Sequence, residues 1–236
     1  MTTVVLVAVL GALPPVQVGL ERVEAEGGRP LLGKRVGLVA HAASVTAQGR
    51  HAVDVLRANG VDVRRLFGPE HGLRGAAAAG EKVASGTDEV SGLPVVSLYG
   101  ERTKPRREDL AGLDVLVIDL QDAGVRFYTY ASTMLLCLEA AAEAGMEVVV
   151  LDRPNPLGGS HAAGPTRDSA RDLPSSLVNM APGPLVHALT LGEMARYVNA
   201  RRAKAARLTV VPMIGWHRSM TWTDTGRPWV APSPNL

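Results

Sequence analysis

The stretch Gly68-Pro69-Glu70-His71-Gly72-Leu73-Arg74-Gly75 hangs a carboxylate and an imidazole on a glycine-bracketed turn, directly after the apolar-alternating run 61–67. A carboxyl group at the lip of a sheet, partly shielded by such a turn, can hold a proton near neutrality and pass it to a leaving oxygen. Glu70 is therefore the leading catalytic candidate, against the plainer role of capping the turn or pairing with Arg74. His71 has the chemistry of a metal ligand or of a hydrogen-bond donor to substrate. Three further polar clusters end apolar runs in the same manner: residues 41–44, Asp119-Leu120-Gln121-Asp122, and Asp152-Arg153-Pro154-Asn155-Pro156. Open α/β folds gather their ligands at such strand ends.

Each cluster has a chemical and a structural reading. Asp119, Gln121 and Asp122 follow the most apolar run, so one side chain is expected in the cleft while Asp122 caps the next helix. Arg126-Phe127-Tyr128-Thr129-Tyr130 offers an aromatic wall for the apolar face of a sugar and a cationic hook for a carboxylate. The two prolines around Arg153 and Asn155 stiffen that turn; there the alternative is a structural turn in which Arg153 bridges Asp152 or Asp119. His187 either faces the cleft or steadies the turn before a helix. A metal would need Glu70, His71, Asp119, Asp122 and His41 to converge, and no paired His spacing supports it, so no metal and no cofactor is expected. G-x-G-x-x-G, G-x-x-x-x-G-K-[ST] and G-x-S-x-G are all missing, against a dinucleotide enzyme, a P-loop enzyme and an α/β-hydrolase.

These clusters need a sheet to hold them. Periodicity predicts strands at 36–40, 61–67, 94–98, 114–118, 147–151 and 208–212, with helices at 51–58, 106–111, 127–144 and about 191–203. Asn59-Gly60 and Gly145 end two of these helices, and Thr190 with Glu193 makes a capping box for the last. Alternating strands and helices define an α/β fold: a Rossmann-like, doubly wound, mostly parallel sheet with helices on both faces. Residues 76–80 and 101–107 read as mobile loops, and 155–173 as an irregular excursion.

Composition narrows the class. The chain has 236 residues, 46% of them apolar, and a net charge of +2, which gives no reason to expect nucleic acid. Cys137 is the single cysteine and sits among apolar neighbours, a core residue rather than a reactive thiol. Residues 4–10 are too short to span a membrane. The segment 1–18 reads as a signal peptide with a truncated front end or as an apolar arm on the domain at 19–236. The Trp-rich end looks like a cut.

Taken together, Gly68-Pro69-Glu70-His71-Gly72, Ser97-Leu98-Tyr99-Gly100, the run from Asp119 to Tyr130, Leu151-Asp152-Arg153-Pro154-Asn155-Pro156 and Pro232-Ser233-Pro234-Asn235 resemble the exo-β-N-acetylmuramidases of the NamZ type, long catalogued as a domain of unknown function. The resemblance implies a Rossmann-like catalytic domain followed by a smaller auxiliary domain, here apparently missing, with the active cleft between them. It implies removal of a terminal β-linked N-acetylmuramic acid from the non-reducing end of peptidoglycan fragments, with Glu70 matching the catalytic glutamate. A second, less constant glutamate rides on a lid in that family, for which Glu101 and Glu81 are the candidates here. Some relatives resemble lyases in outcome. The substrate's lactyl carboxylate then calls for Arg126 or Arg153, and its hydroxyls and acetamido group for His71, Asp119, Gln121 and Asn155, with Tyr128 and Tyr130 as aromatic contacts. Export to the periplasm or the outside is expected, with the cytoplasm as the alternative. A non-catalytic sugar-binding fragment and a metal-dependent hydrolase built on Glu70, His71, Asp119 and Asp122 are the competing functions. Two departures from the family pattern, Ala188 after His187 and Leu177 after Ser176, bear on substrate fit.

Overall fold

The computed structural model describes residues 15–167 and 176–234. The expectations for residues 1–14 and for Asn235, and part of the excursion at 155–173, lie outside the described residues. Among the described residues nine strands follow in chain order: β1 (Arg35–Ala40), β2 (Asp62–Gly68), β3 (Gly86–Thr87), β4 (Pro94–Ser97), β5 (Val115–Asp119), β6 (Glu147–Leu151), β7 (Ala163–Thr166), β8 (Pro184–Val186) and β9 (Arg207–Val211). The helices are α1 (Gly19–Ala25), α2 (Ala52–Ala58), α3 (Arg107–Leu110), α4 (Thr129–Ala144) and α5 (Leu191–Asn199).

Seven strands form one sheet in the order β3-β4-β2-β1-β5-β6-β9, and β7 with β8 makes a separate two-stranded ribbon. Every pairing in the large sheet is parallel except that of β3 with β4. From β1 the chain builds outward through β2 to β4, then returns to the other side of β1 and builds outward again through β5, β6 and β9. The reversal lies between β1 and β5, the topological switch point of a doubly wound sheet.

Both faces of the sheet are covered, which is why its central strands read as unbroken apolar runs. The two-residue period of a strand sends Leu116 and Ile118 of β5 towards α4 and α5, and Val115 and Val117 towards α1 and α2. Helix α4 is buried almost all round; Met134, Leu135 and Leu138 each contribute about 1.5–3 kcal/mol by leaving water. Cys137 lies fully buried in the same layer. Gly145, in the left-handed conformation at φ 68, ends α4 where Met146 N donates to Ala141 O.

Helix α5 begins with the expected box, Glu193 N donating to Thr190 Oγ1 and Thr190 N to Glu193 Oε2. It stops at Asn199 instead of running to 203, because the Asn199 side chain bonds both the N–H and the carbonyl of Ala206 and turns the chain into β9. The turn 41–44 and helix α2 are joined by His51, whose Nδ1 caps Val53 N. Helix α1, absent from the periodicity, packs so closely on β6 that a Cβ on Gly19 would stand 2.6 Å from Asp152 N. The excursion is less irregular than its composition implied, since β7 pairs with β8.

Candidate functional site

Glu70 follows β2 on a turn that Gly68 makes tight: a Cβ there would meet Leu73 N at 2.9 Å. His71 adopts φ 67, unusual for a residue other than glycine, and its Nδ1 lies 3.0 Å from Ala77 O, which fixes the ring and the start of the next loop. The Glu70 side chain is half-buried and points to the rim of the sheet. Its Oε2 accepts from Thr129 Oγ1 at 2.8 Å and its Oε1 from Gly80 N at 3.1 Å. The Tyr99 hydroxyl faces the same carboxylate; burial first, then the hydrogen bond to Glu70 and its charge, push the ionisation of Tyr99 upward. Arg74, four residues on, is taken by Asp88 through two hydrogen bonds of 3.0 and 2.8 Å. That ion pair, led by the Arg74 hydrogen bonds, holds the Asp88 carboxyl well below the usual range. Among the described residues no cation pairs with Glu70.

Tyr130, fully buried, closes the site from below. Its hydroxyl lies 3.1 Å from Glu70 O and 2.8 Å from Pro232 O, so it ties the Glu70 turn to the last described segment. Its ring packs edge-on against His41 and Tyr128, with centroids 4.6 and 4.8 Å away. The Tyr128 hydroxyl is buried without a partner at hydrogen-bonding geometry, and burial raises its ionisation. Asp122, expected to cap a helix, instead accepts from Gly124 N at 2.8 Å and lies 3.0 Å from His187 Nε2 through Oδ2, and leaves Oδ1 buried and unpartnered. An orphaned buried polar atom costs about 1–3 kcal/mol.

The switch point itself is filled by the protein's own side chains. Arg153 makes a two-pronged pair with Asp119 at 2.5 and 2.8 Å and donates to Val45 O. Arg227 donates to Val16 O, Val45 O and Glu21. Gln121 donates from Nε2 to Asp122 O and Pro154 O, and Asn155 bonds Leu157 N and Leu189 O. Asp119, Gln121, Arg153 and Asn155 thus form a buried polar knot that shares no hydrogen bond with the Glu70 carboxylate among the described residues. Arg126, half-buried, rests its guanidinium on Gly183 O beside β8.

Tyr99, Thr129 and Gly80 were not picked out as site residues from sequence. The tetrad Ser97-Leu98-Tyr99-Gly100 and the placing of Thr129 at a helix start were the available signals, but only the neighbouring of β2 with β4 aims them at Glu70. Glu101 lines a cavity of about 300 Å³ together with Lys82, Ser85, Ser97 and Arg102. Glu81 instead accepts from Ala78 N at 2.8 Å. Among the described residues no three His, Cys, Asp or Glu side chains gather to hold a metal ion.

A half-buried carboxylate at a strand end of a doubly wound sheet, held by a threonine hydroxyl and a backbone N–H, can exchange a proton with a bound group. The chain belongs to the family described as exo-beta-N-acetylmuramidase NamZ, N-terminal, whose model matches residues 36–236. It is 45% identical over 224 residues to the peptidoglycan beta-N-acetylmuramidase NamZ of Bacillus subtilis (strain 168), a match covering 94% of this chain and 53% of that protein. Two DUF1343 family crystal structures from Bacteroides fragilis NCTC 9343 share the fold. One has a TM-score of 0.85 and 39% identity over 93% of this chain and 56% of its own; the other 0.75 and 32% over 89% and 55%. The chain therefore spans about half the length of the relatives it matches.

Proposed function

We propose that this chain forms the catalytic part of an exo-acting glycoside hydrolase that releases terminal β-linked N-acetylmuramic acid from the non-reducing end of peptidoglycan fragments, with Glu70 as general acid. The observation that carries the reading is the Glu70 carboxyl on its glycine-bracketed turn, free of any ion pair among the described residues while Arg74 is held by Asp88. The Bacillus subtilis relative's activity supports the substrate class.

In this mechanism the Glu70 proton moves to the glycosidic oxygen as the bond from that oxygen to the anomeric carbon breaks, and its electron pair leaves with the aglycone. The sugar is left as an oxocarbenium-like species; water adds its oxygen to the anomeric carbon and gives up one proton, which restores the Glu70 acid directly or through solvent. Arg126 meets the lactyl carboxylate that distinguishes muramic acid from glucosamine, since Arg153 is committed to Asp119. A peptidoglycan substrate gives this activity its use in the periplasm or outside the cell.

A chromogenic β-N-acetylmuraminide should be cleaved and the matching glucosaminide left intact. Glu70→Gln should lower turnover by about 10²-fold or more, the scale of lost general acid catalysis. Retained turnover in a folded Glu70→Gln protein removes Glu70 from the mechanism, and tight muramic acid binding with no chromophore release replaces the enzyme by a binding module.

A further inference from the structure

The Glu70 carboxylate accepts hydrogen bonds from two separate parts of the chain: Gly80 N from the loop after the turn and Thr129 Oγ1 from the first residue of α4. Thr129 is buried, so its hydroxyl is not placed there by chance of the surface. Thr129 is further held in place by its carbonyl, which accepts from Thr133 Oγ1 at 3.1 Å one helical turn on.

We infer that Thr129 is a positioning residue for the reaction: its hydroxyl orients the Glu70 carboxyl and takes up the negative charge left when the proton departs. The inference rests on Glu70 being the acid. Proton transfer breaks the Glu70 O–H bond, forms one at the glycosidic oxygen and leaves a carboxylate. The hydroxyl of Thr129 already points at Oε2, so charge develops into a donor that needs no rearrangement, the condition under which such hydrogen bonds lower a barrier most. The approach of Thr129 to Glu70 depends on α4 starting at this residue, which makes the helix start a part of the catalytic geometry.

The test is a cycle on the full chain with the chromogenic muraminide. Thr129→Val keeps the shape and removes the donor; kcat should fall by about 10- to 100-fold, the scale of one hydrogen bond to a charged group, while KM stays within about twofold. Thr129→Ser should restore most of kcat. On a Glu70→Gln background Thr129→Val should add no further loss, because the group it serves has gone. Thr129→Ala should follow the same pattern and carries the test if the Thr129→Val protein does not fold. Wild-type kcat in folded Thr129→Val, equal losses in the Val and Ser variants, or additive losses with Glu70→Gln would each overturn the inference while the proposed activity stands. A wild-type chain without turnover would instead count against the activity itself.

Discussion

Arg153 and Arg126 carry the same charge and meet opposite fates. Arg153 is 4% exposed and spends its donors on Asp119 and Val45 O, whereas the half-buried Arg126 rests its guanidinium on Gly183 O. Breaking a buried ion pair from one side strands the other charge, so Arg153→Met should cost about 3–5 kcal/mol in chemical denaturation. Arg126→Ala should leave stability within about 0.5 kcal/mol and act on binding alone, as surface substitutions do. Its KM for the muraminide should rise about tenfold, a lost charge-assisted contact, with kcat nearly unchanged. A large stability loss in Arg126→Ala, or an unchanged KM, would end its role as the counter-charge.

At the scale of elements, the approach to α5 holds backbone strain. Ala188 sits at φ 54, left-handed, between His187 on Asp122 and the Thr190 cap, and its carbonyl accepts from Arg218 Nη2 at 2.7 Å. That conformation costs a residue with a Cβ about 1–2 kcal/mol. Glycine avoids the cost but gives up about 0.4–1 kcal/mol through its freer unfolded chain. Ala188→Gly should therefore stabilise the protein by about 0.5–1 kcal/mol, read as a higher denaturation midpoint at unchanged slope; a lower midpoint would mean that the methyl group packs. The departure was visible in the sequence as Ala where the resembled family has Gly, but its sign on φ was not. The central strands and the α4 stop at Gly145 were legible because apolar runs and glycine stops are local signals. The partners of Glu70 were not, since residues 80, 99 and 129 meet it only through strand order. Arg153 had two carboxylates within reach in sequence, and only the neighbouring of β5 with β6 chooses Asp119. Helix α5 ends early for a similar reason, a side chain bonding back from Asn199 across seven residues.

Across the whole molecule, His41 and His51 bind the switch point together as neutral rings. His41 Nε2 accepts from Gln121 N at 2.9 Å, a bond that a protonated ring cannot make, and its other contacts are the Tyr130 ring and the turn to α2. His51 caps α2 through Nδ1 and lies 3.0 Å from His41 O through Nε2. Burial first, then the nearby charge of Arg153 for His41 and of Arg74 for His51, lowers the affinity of both rings for a proton. A depressed histidine leaves the unfolded chain to take the proton alone, so its stabilisation is present above about pH 6.5 and is lost as pH falls, at about 1.4 kcal/mol per pH unit for each ring. Asp152 acts in the opposite sense: burial pushes it up to about 6 despite its bonds from Gly192 N, Thr190 Oγ1 and Arg153 N, so its contribution is lost as pH rises through that value. On going from pH 7 to 5.5 the two rings should lower stability and Asp152 should return a part of what they remove. His51→Asn keeps a good cap for α2 and deletes one titrating ring. Urea unfolding at the two pH values should show a smaller acid loss in that variant, whereas parallel losses in both proteins would place the acid sensitivity elsewhere.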